Sequence, residues 1–491
     1  MVMKVKSAGL LGLGMAAGLA LSLQLSAAAQ VAPGAPAAAS APLPLDELRQ
    51  LTEVYGIIKS DYVEPVEEKK LLTQAMAGMV TSLDPHSVYL DKKAFKEMKD
   101  SMQGRSVGLG IEVSMEEGNV KIVSPIEDSP AHKAGLRSGD IIVRIDNTPL
   151  KGLSLDEAIR KMRGDVKSTV TLTIMRKGED MPWVVPLVRA AFRVPSVKGK
   201  LVEPGYGWIR ISQFQELTVE EMAKKIGELY AQEPQLKGLV LDLRNDPGGL
   251  LPGAIGVSAA FLPEGKEIVS TLGQRRDANA SYYGRRADYA GRRGGDPLAR
   301  LPAAVKSVPL VVLVNAGSAS ASEIVAGALQ DYKRATIMGT QTFGKGSVQS
   351  LLQLTEDTAV KLTTALYYTP EGRKIQAKGI VPDLMVNETA DGDGLNSLRV
   401  READLEKHLG DARDPAVRRD NAAQQALAQS RTRKVLDFGS RDDFQLAQAI
   451  NHFKGLPVTL SSAAAAPERA PQSGAPKPEP VIPEITPGDK K

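Results

Sequence analysis

Short apolar segments alternate with helical segments through the second half of the chain, and this alternation is the strongest constraint on its fold. The segment 238–244 reads Gly-Leu-Val-Leu-Asp-Leu-Arg, and 308–315 is a second apolar run. A nearly continuous apolar strand is typical of a sheet that is covered on both faces. Helices are predicted before, between and after these strands, over 217–230, 251–261 and 320–332. The sequence therefore predicts a layered α/β domain.

The segment before this half has the pattern of a small β-rich module. Residues 101–188 contain short apolar alternations separated by glycine turns, and Ser154 with Glu157 announces a helix. Serine at the N-cap with glutamate three positions later is a capping box. We predict a helix at 155–162 and strands at 110–113, 120–123, 141–145 and 170–175.

Two glycine-containing motifs in this module indicate peptide binding. They read Gly108-Leu109-Gly110-Ile111, and Ala134-Gly135-Leu136 followed by Gly139-Asp140-Ile141-Ile142. Glycines let successive backbone N–H groups converge on one spot, which makes a site for a carboxylate. Both motifs resemble those of a PDZ domain, which holds the free C-terminus of a peptide as an added strand. The resemblance implies that the first motif binds the C-terminus of a substrate.

Composition excludes several classes of site. The chain has no cysteine, which removes disulfides, thiolate metal ligands and cysteine nucleophiles. Its net charge of +4 over 491 residues favours neither a nucleic acid nor a membrane surface as a partner. Arginine pairs and tyrosines are concentrated in 273–300, and we interpret this segment as a solvated loop rather than a nucleic-acid site. A chain of this length needs more than one core, so several domains are expected.

The N-terminus has the pattern of an export signal. Lys4 and Lys6 precede an apolar run over 8–25, and the small residues 27–29 follow. This order is that of a cleaved secretory signal, and an uncleaved inner-membrane anchor is the alternative. Either way, we predict an exported protein whose body lies in the periplasm.

Changes of composition along the chain suggest its domain boundaries. We predict a signal peptide or anchor at 1–29, a linker at 30–44, a helical N-terminal region at 45–100, the PDZ domain at 101–188, the α/β core at 189–390, a helical C-terminal region at 391–460 and a disordered tail at 461–491. In the terminal regions, helices are predicted from Asp46 onward and over 69–83, 397–408 and 442–454.

Two segments in the α/β half carry the reactive groups. Residues 315–323 form a serine-rich turn before a helix, and Lys345 lies in a glycine-bracketed loop. No histidine lies between them, so the base for serine chemistry must be something other than imidazole, and a neutral lysine can take that role. These segments and the turn 245–249 all follow strands, and the carboxyl ends of such strands share one crevice. The candidate nucleophiles that spacing leaves open are Ser318, Ser320 and Ser322.

Two other features resemble functional sites without completing one. The segment 339–346 nearly fits a phosphate-binding P-loop, but Gly346 stands where the pattern needs serine or threonine. The residues after it alternate as in a strand rather than a helix, so nucleotide binding is the less favoured alternative. His86, in the turn 84–87, has no partner histidine, cysteine or carboxylate cluster near it in the sequence, and we interpret it as a structural turn residue.

Several motifs, in order along the chain, resemble those of the carboxyl-terminal processing peptidases, also called tail-specific proteases, of the bacterial periplasm. The resemblance covers about residues 45–460. Besides the PDZ segment, the serine turn and the lysine loop, it rests on the motifs at 83–90, 242–249 and 378–383. It implies a multidomain α/β protein. In that protein a PDZ domain is inserted into a crotonase/ClpP-like α/β/α core, and helical regions lie at both ends.

The resemblance also implies a serine endopeptidase with a Ser/Lys dyad. Ser320 matches the nucleophile, Lys345 the general base and Gln349 the residue that orients the lysine. The oxyanion hole is expected from the N–H of Ala321 together with that of Gly248 or Gly249. Asp331 matches a position with a supporting role. No metal or cofactor is required for this mechanism.

The resemblance describes the partners of such an enzyme only in general terms. It implies protein substrates with exposed apolar C-terminal tails, cell-wall hydrolases among them, together with a homo-oligomer and a lipoprotein adaptor. No nucleic-acid partner is expected. The alternative from another class is a catalytically silent PDZ scaffold that only binds protein C-termini. The intact set of Ser320, Lys345 and Gln349 argues against it.

Overall fold

The computed structural model describes residues 44–116, 119–126, 128–176, 178–179, 181–290, 295–390, 392, 400–410 and 437–461. The chain divides into two compact units, 1–73 and 74–491. The predicted signal or anchor, and nearly all of the predicted linker and tail, lie outside the described residues. Within the ranges just given, no helix is both long and apolar enough to cross a membrane.

The first unit contains α1 (Leu45–Asp61) and the start of α2 (Glu68–Thr81), which confirm two predicted helices. An ion pair of 2.6 Å between Lys59 and Glu68 joins the two helices. None of the residues of α1 is buried. The apolar side chains of this helix are therefore not packed as a core face.

After the end of α2, the second unit contains β1 (Val88–Leu90) and α3 (Lys92–Met102) and continues into the predicted PDZ module. The elements of the module are β2 (Arg105–Gly108), β3 (Ile111–Glu116), β4 (Asn119–Pro125), α4 (Pro130–Lys133), β5 (Ile141–Ile145), β6 (Thr148–Pro149), α5 (Leu155–Met162), β7 (Thr169–Met175), β8 (Trp183–Val188) and β9 (Ala190–Arg193). The predicted helix, its capping box and the four predicted strands are confirmed. Strands β3, β4, β5, β7 and β8 form one antiparallel sheet around a core of its own.

The remaining elements build the α/β core and the C-terminal helix. They are β10 (Val197–Glu203), β11 (Tyr206–Ile211), α6 (Thr218–Gln232), β12 (Gly238–Asp242), α7 (Leu251–Phe261), β13 (Glu267–Gly273), β14 (Ala280–Tyr283), α8 (Arg286–Tyr289), β15 (Leu310–Val314), α9 (Ala321–Asp331), β16 (Thr336–Gly339), β17 (Ser347–Gln353), β18 (Ala359–Tyr368), β19 (Leu384–Met385) and α10 (Phe444–Phe453). Six of the strands form a sheet in the order β10-β11-β12-β15-β16-β19, parallel from β11 onward.

This sheet is covered on both faces, as its apolar strands predict. Leu239 and Leu241 of β12 pack in one core with residues of α6, α7 and α9. Val240, which lies between them, packs in a second core with Leu446 and Ile450 of α10. Because successive side chains of a strand point to opposite faces, the sheet is sandwiched between helices.

A second sheet corrects the prediction for 273–300. Strand β14 pairs antiparallel with β13, and the short helix α8 follows it. Strand β18 joins β13, β17 and β1 in the same sheet. The segment is therefore partly an edge strand of a sheet rather than only a solvated loop.

The C-terminal region is less helical than predicted where the structure describes it. The predicted helix at 442–454 is confirmed as α10. In the described part of the predicted helix at 397–408, the only helical element is a single 3₁₀ turn at Glu402–Asp404, so that prediction is wrong. The reason is tertiary, because Glu402 is fully buried against other segments.

Candidate active site

Three turns meet at one edge of the parallel sheet. They follow β12, β15 and β16, and the carboxyl ends of parallel neighbours lie at the same edge. The first two are joined by Asn245 and Asn315, since the N–H of Asn245 donates to Asn315 Oδ1 (2.9 Å). The N–H of Phe343, in the lysine loop, donates to the carbonyl of Ser318 (3.0 Å). The prediction that these turns lie together at the carboxyl ends of the strands is confirmed.

The three candidate serines differ in what their hydroxyls do. Ser318 Oγ donates to the carbonyl of Leu243 (2.8 Å), and Ser322 Oγ donates to the carbonyl of Asp246 (3.0 Å). Both serines are fully buried. Ser320 is half-buried and caps α9, and among the described residues its hydroxyl donates a hydrogen bond to no protein group. Ser320 is therefore the one of the three serines whose hydroxyl proton is not held by a backbone carbonyl.

Ser320 lies in an unusual backbone conformation immediately before α9. Its φ is 55° and its ψ is −111°, a region that costs a non-glycine residue on the order of 1–3 kcal/mol. The Gly248 turn approaches it closely, because a Cβ on Gly248 would lie 2.8 Å from Ser320 Cβ and 2.9 Å from the N of Ala321. The serine thus stands at the positive end of a helix, against a glycine turn.

The turn 245–249 discriminates between the two glycines predicted for the oxyanion hole. The N–H of Gly248 donates to Asp246 Oδ1 (2.9 Å), so this N–H is already used. In the part of the chain that the structure describes, no hydrogen-bond acceptor is found for the N–H groups of Gly249 and Ala321. Gly249 and Ala321 are therefore the pair that could stabilise an oxyanion.

Asp246, which sequence reasoning did not single out, shapes this turn from inside the protein. Its carboxyl group is fully buried, and Oδ2 has no partner among the described residues. Burial raises the pKa of Asp246 well above its usual range. The other oxygen, Oδ1, accepts the hydrogen bond from the N–H of Gly248 and so holds the turn.

Glu323 links the serine turn to the lysine loop, and the sequence analysis assigned it no role. Its carboxylate accepts hydrogen bonds from the N–H of Ser320 (2.8 Å), Thr342 Oγ1 (2.5 Å), and the N–H groups of Gly344 (2.7 Å) and Lys345 (2.9 Å). Burial raises its pKa to about 7, and these four donors oppose the rise. The spacing of serine and glutamate, three residues apart before a helix, is the sequence signal that could have found this residue.

The glycines around Lys345 constrain its loop, as predicted. Gly344 has a φ of 98°, which favours glycine. A Cβ on Gly346 would lie 2.2 Å from the backbone N of Gln376, so no side chain fits there. Strand β17 follows the loop, which excludes the helix that a P-loop requires.

The surroundings of Lys345 favour the neutral amine. Burial is the largest cause and the charge of Lys361 is the next, and the net effect lowers the pKa of Lys345 to about 8. The carboxylates of Glu402, Glu323 and Asp84 oppose that change. Within the described residues, Lys345 Nζ has no hydrogen-bond partner, so no hydrogen bond joins it to Ser320 in this structure.

Two other predicted site residues lie differently from the expectation. Gln349 donates to Ser347 Oγ (2.9 Å) and Thr363 Oγ1 (3.3 Å) rather than to Lys345. Asp331 lies at the opposite end of α9 from Ser320, where it pairs with Arg373 and accepts from the N–H of Glu371 (2.9 Å). An eleven-residue helix is about 16 Å long, so Asp331 supports a turn outside the site.

The predicted carboxylate-binding loop has suitable backbone geometry. The carbonyl of Leu109 accepts from the N–H of Ala131 (3.0 Å), and the carbonyl of Gly110 accepts from the N–H of Ile126 (2.8 Å). In a trans peptide the N–H points away from the carbonyl of the preceding residue. The N–H groups of Gly110 and Ile111 therefore point away from the donors Ala131 and Ile126. Gly110 has a φ of 73°, and a Cβ there would clash with Ser129 at 2.1 Å.

Comparison with known proteins identifies the family. The model of peptidase family S41 matches residues 205–386, a PDZ domain model matches 107–187, and a model of the N-terminal domain of the activating protease CtpB matches 15–94. A carboxy-terminal-processing protease of Bartonella bacilliformis is 45% identical over 344 residues, which span 70% of this chain and 75% of that one. This chain belongs to the carboxy-terminal-processing proteases of peptidase family S41.

Two further similar proteins are also proteases by their printed names. A probable CtpA-like serine protease of Staphylococcus aureus is 36% identical over 345 residues, covering 69% of this chain and 65% of the relative. Among solved structures, the photosystem II D1 C-terminal processing protease is 30% identical, with a TM-score of 0.40, and covers 69% of this chain and 86% of that one. The two family models and the two sequence relatives show that the protein is a serine protease with a PDZ domain, which sets aside the scaffold and nucleotide-binding alternatives.

Proposed function

We propose that this protease acts in the periplasm, where its PDZ domain binds the free C-terminal tail of a protein substrate and a Ser320–Lys345 pair cleaves the chain. The support for the pair is that Ser320, alone of the three serines in its turn, donates its hydroxyl proton to no protein group among the described residues. The support for the location is the charged and then apolar N-terminus, at residues 4–25.

The proposed reaction begins with the neutral amine of Lys345, which takes the proton of Ser320. The oxygen of Ser320 attacks a peptide carbonyl, and the N–H groups of Ala321 and Gly249 hold the oxyanion. The lysine then returns the proton to the leaving amine, and water hydrolyses the acyl-enzyme. Because Ser320 and Lys345 are not hydrogen-bonded, the lysine side chain moves toward the serine before reaction. Gln349 is proposed to orient the lysine in that closed state.

The structural context of this proposal is a crotonase/ClpP-like core. Its support is a parallel sheet with helices on both faces and a reactive serine at the start of a helix that follows β15. The family resemblance is the support for self-association, for a lipoprotein adaptor and for cell-wall hydrolases as substrates.

The proposal is tested with an unstructured protein that ends in an apolar tail, supplied with a free C-terminal carboxylate or with a C-terminal amide. Fragments are followed by mass spectrometry for the parent, for Ser320→Ala and for Ser318→Ala. We expect the parent to cleave the free-tailed substrate faster than the amide. We expect Ser320→Ala to be inactive while Ser318→Ala keeps activity in proportion to its folded fraction. Cleavage by Ser320→Ala, or equal rates on the two tails, would contradict the proposal.

A further inference from the structure

A segment from beyond the matched peptidase region reaches into the lysine loop. Residues 400–410 follow the stretch 205–386 that the peptidase model matches. Glu402 of this segment is fully buried, and its N–H donates to the carbonyl of Phe343 (3.0 Å). Phe343 lies two residues before Lys345, so the segment contacts the loop on the N-terminal side of the lysine.

The carboxylate of Glu402 also holds the other side of the loop. Its Oε1 accepts from Gln376 Nε2 (2.8 Å), and Gln376 Oε1 accepts from the N–H of Gly346 (2.9 Å). Gly346 directly follows Lys345. Glu402 is therefore hydrogen-bonded to the loop on both sides of Lys345, directly at Phe343 and through Gln376 at Gly346. These contacts restrict the backbone conformation of the loop.

The second oxygen of Glu402 contacts the N-terminal region of the same unit. Glu402 Oε2 lies 2.7 Å from His86 Nε2, although 316 residues separate the two. The N–H of His86 donates to Asp84 Oδ1 (2.8 Å) within the turn 84–87. His86 therefore belongs to a structural turn, as predicted, and it also has a carboxylate partner that its sequence neighbourhood did not indicate, because that partner is distant in sequence.

Glu402 also contributes charge to the surroundings of Lys345. The charged groups that act on this lysine are Lys361 on β18, Glu323 on α9, Asp84 before β1, and Glu402, which in turn contacts His86. A negative charge favours the ammonium form, so Glu402 opposes the effects of burial and of Lys361.

We propose that Glu402 is a positioning residue of the protease, which fixes the lysine loop from both sides and adds a negative charge to the surroundings of Lys345. The proposal rests on the proposed function of Lys345. Removing the charge makes the ammonium less favourable, so Glu402→Gln moves the acid limb of the kcat/KM profile to lower pH. Glu406→Gln, at an exposed position of the same segment, is the matched control.

The test measures kcat/KM from pH 6 to 10 for the parent and both variants, together with the titration of the Lys345 amine by NMR in a Ser320→Ala background. We expect Glu402→Gln to lower both the acid limb and the lysine midpoint by about half a pH unit or more. The control should move neither. If folded Glu402→Gln kept both the acid limb of the kcat/KM profile and the titration midpoint of Lys345 at the parent values, the proposal would be overturned. If the parent cleaved no substrate while Glu402→Gln still shifted the titration midpoint of Lys345, the proposed function would be contradicted instead.

A second variant covers the case in which Glu402→Gln does not fold. Gln376→Ala cuts the connection from Glu402 to Gly346 and leaves the charge in place. Its expected result is a kcat about tenfold or more below the parent, with an unmoved acid limb. A kcat within twofold of the parent would refute the positioning role.

Discussion

Replacing Lys361 with methionine should move the pH at which the protease becomes active to higher values. Lys361 is a half-buried residue of β18, and after burial its charge is the largest influence that lowers the pKa of Lys345. Methionine is an unbranched side chain without the charge, so the ammonium form of Lys345 becomes more favourable and its pKa rises. The change acts on protonation and not on the nucleophile.

The size of the effect follows from the fraction of neutral lysine. With a pKa of about 8, about a quarter of the Lys345 amines are neutral at pH 7.5, against about one in a thousand at the ordinary lysine value. Each rise of about half a unit lowers the neutral fraction below the pKa about threefold. We therefore expect Lys361→Met to lose about threefold in kcat/KM at pH 7 and to approach the parent at pH 10.

The assay is the kcat/KM profile of the tailed substrate between pH 6 and 10. Lys361→Arg, which keeps the positive charge, is the control and should follow the parent. An acid limb of Lys361→Met that stays in place, or moves to lower pH, would refute the idea that this charge tunes the base.

Four further substitutions, at three positions, test the structural parts of the site. Asp246→Asn keeps an acceptor for the N–H of Gly248 and should retain activity. Asp246→Ala removes that acceptor and should lose about 1–3 kcal/mol of unfolding free energy and most activity. If the two variants behaved alike in urea unfolding and in cleavage assays, the role of Asp246 as the acceptor for this turn would be contradicted. Gly346→Ala introduces a Cβ where backbone already lies and should lower kcat about a hundredfold, with tail binding by calorimetry unchanged. Arg244→Leu leaves the buried carboxylates of Asp242 and Asp443 without their guanidinium partner and should lower the free energy of unfolding in urea by about 3–5 kcal/mol. A loss below about 1 kcal/mol would disprove that these ion pairs hold α10 against the sheet.

Local patterns were sufficient to predict most helices and strands. The helix Leu155–Met162 and the strand Ile141–Ile145 agree with prediction to the residue, since a capping box and apolar alternation are local signals. The helix predicted over 397–408 fails because burial of Glu402 overrides local propensity. The strand β14 was missed because its pairing partner β13, rather than its own arginine-rich surroundings, determines it.

The segments that form the candidate site could be predicted from the sequence, but the contacts between their side chains could not. The serine turn and the glycine-bracketed lysine could be predicted from the residues themselves. Spacing alone could not separate the three serines, because their difference lies in hydrogen bonds to Leu243 and Asp246, and only the family resemblance pointed to Ser320. The same limit applies to Glu402, whose partner His86 is 316 residues away. Spacing along a chain contains no information about such contacts, and only the fold brings them together.

The most direct test of the central claim is covalent labelling with a fluorophosphonate probe, followed by peptide mass spectrometry. The account predicts one label, on Ser320, that forms faster as the pH rises through about 8 and is lost in Lys345→Met. Label on Ser318 or Ser322, or undiminished labelling of Ser320 in Lys345→Met, would contradict a serine activated by this lysine.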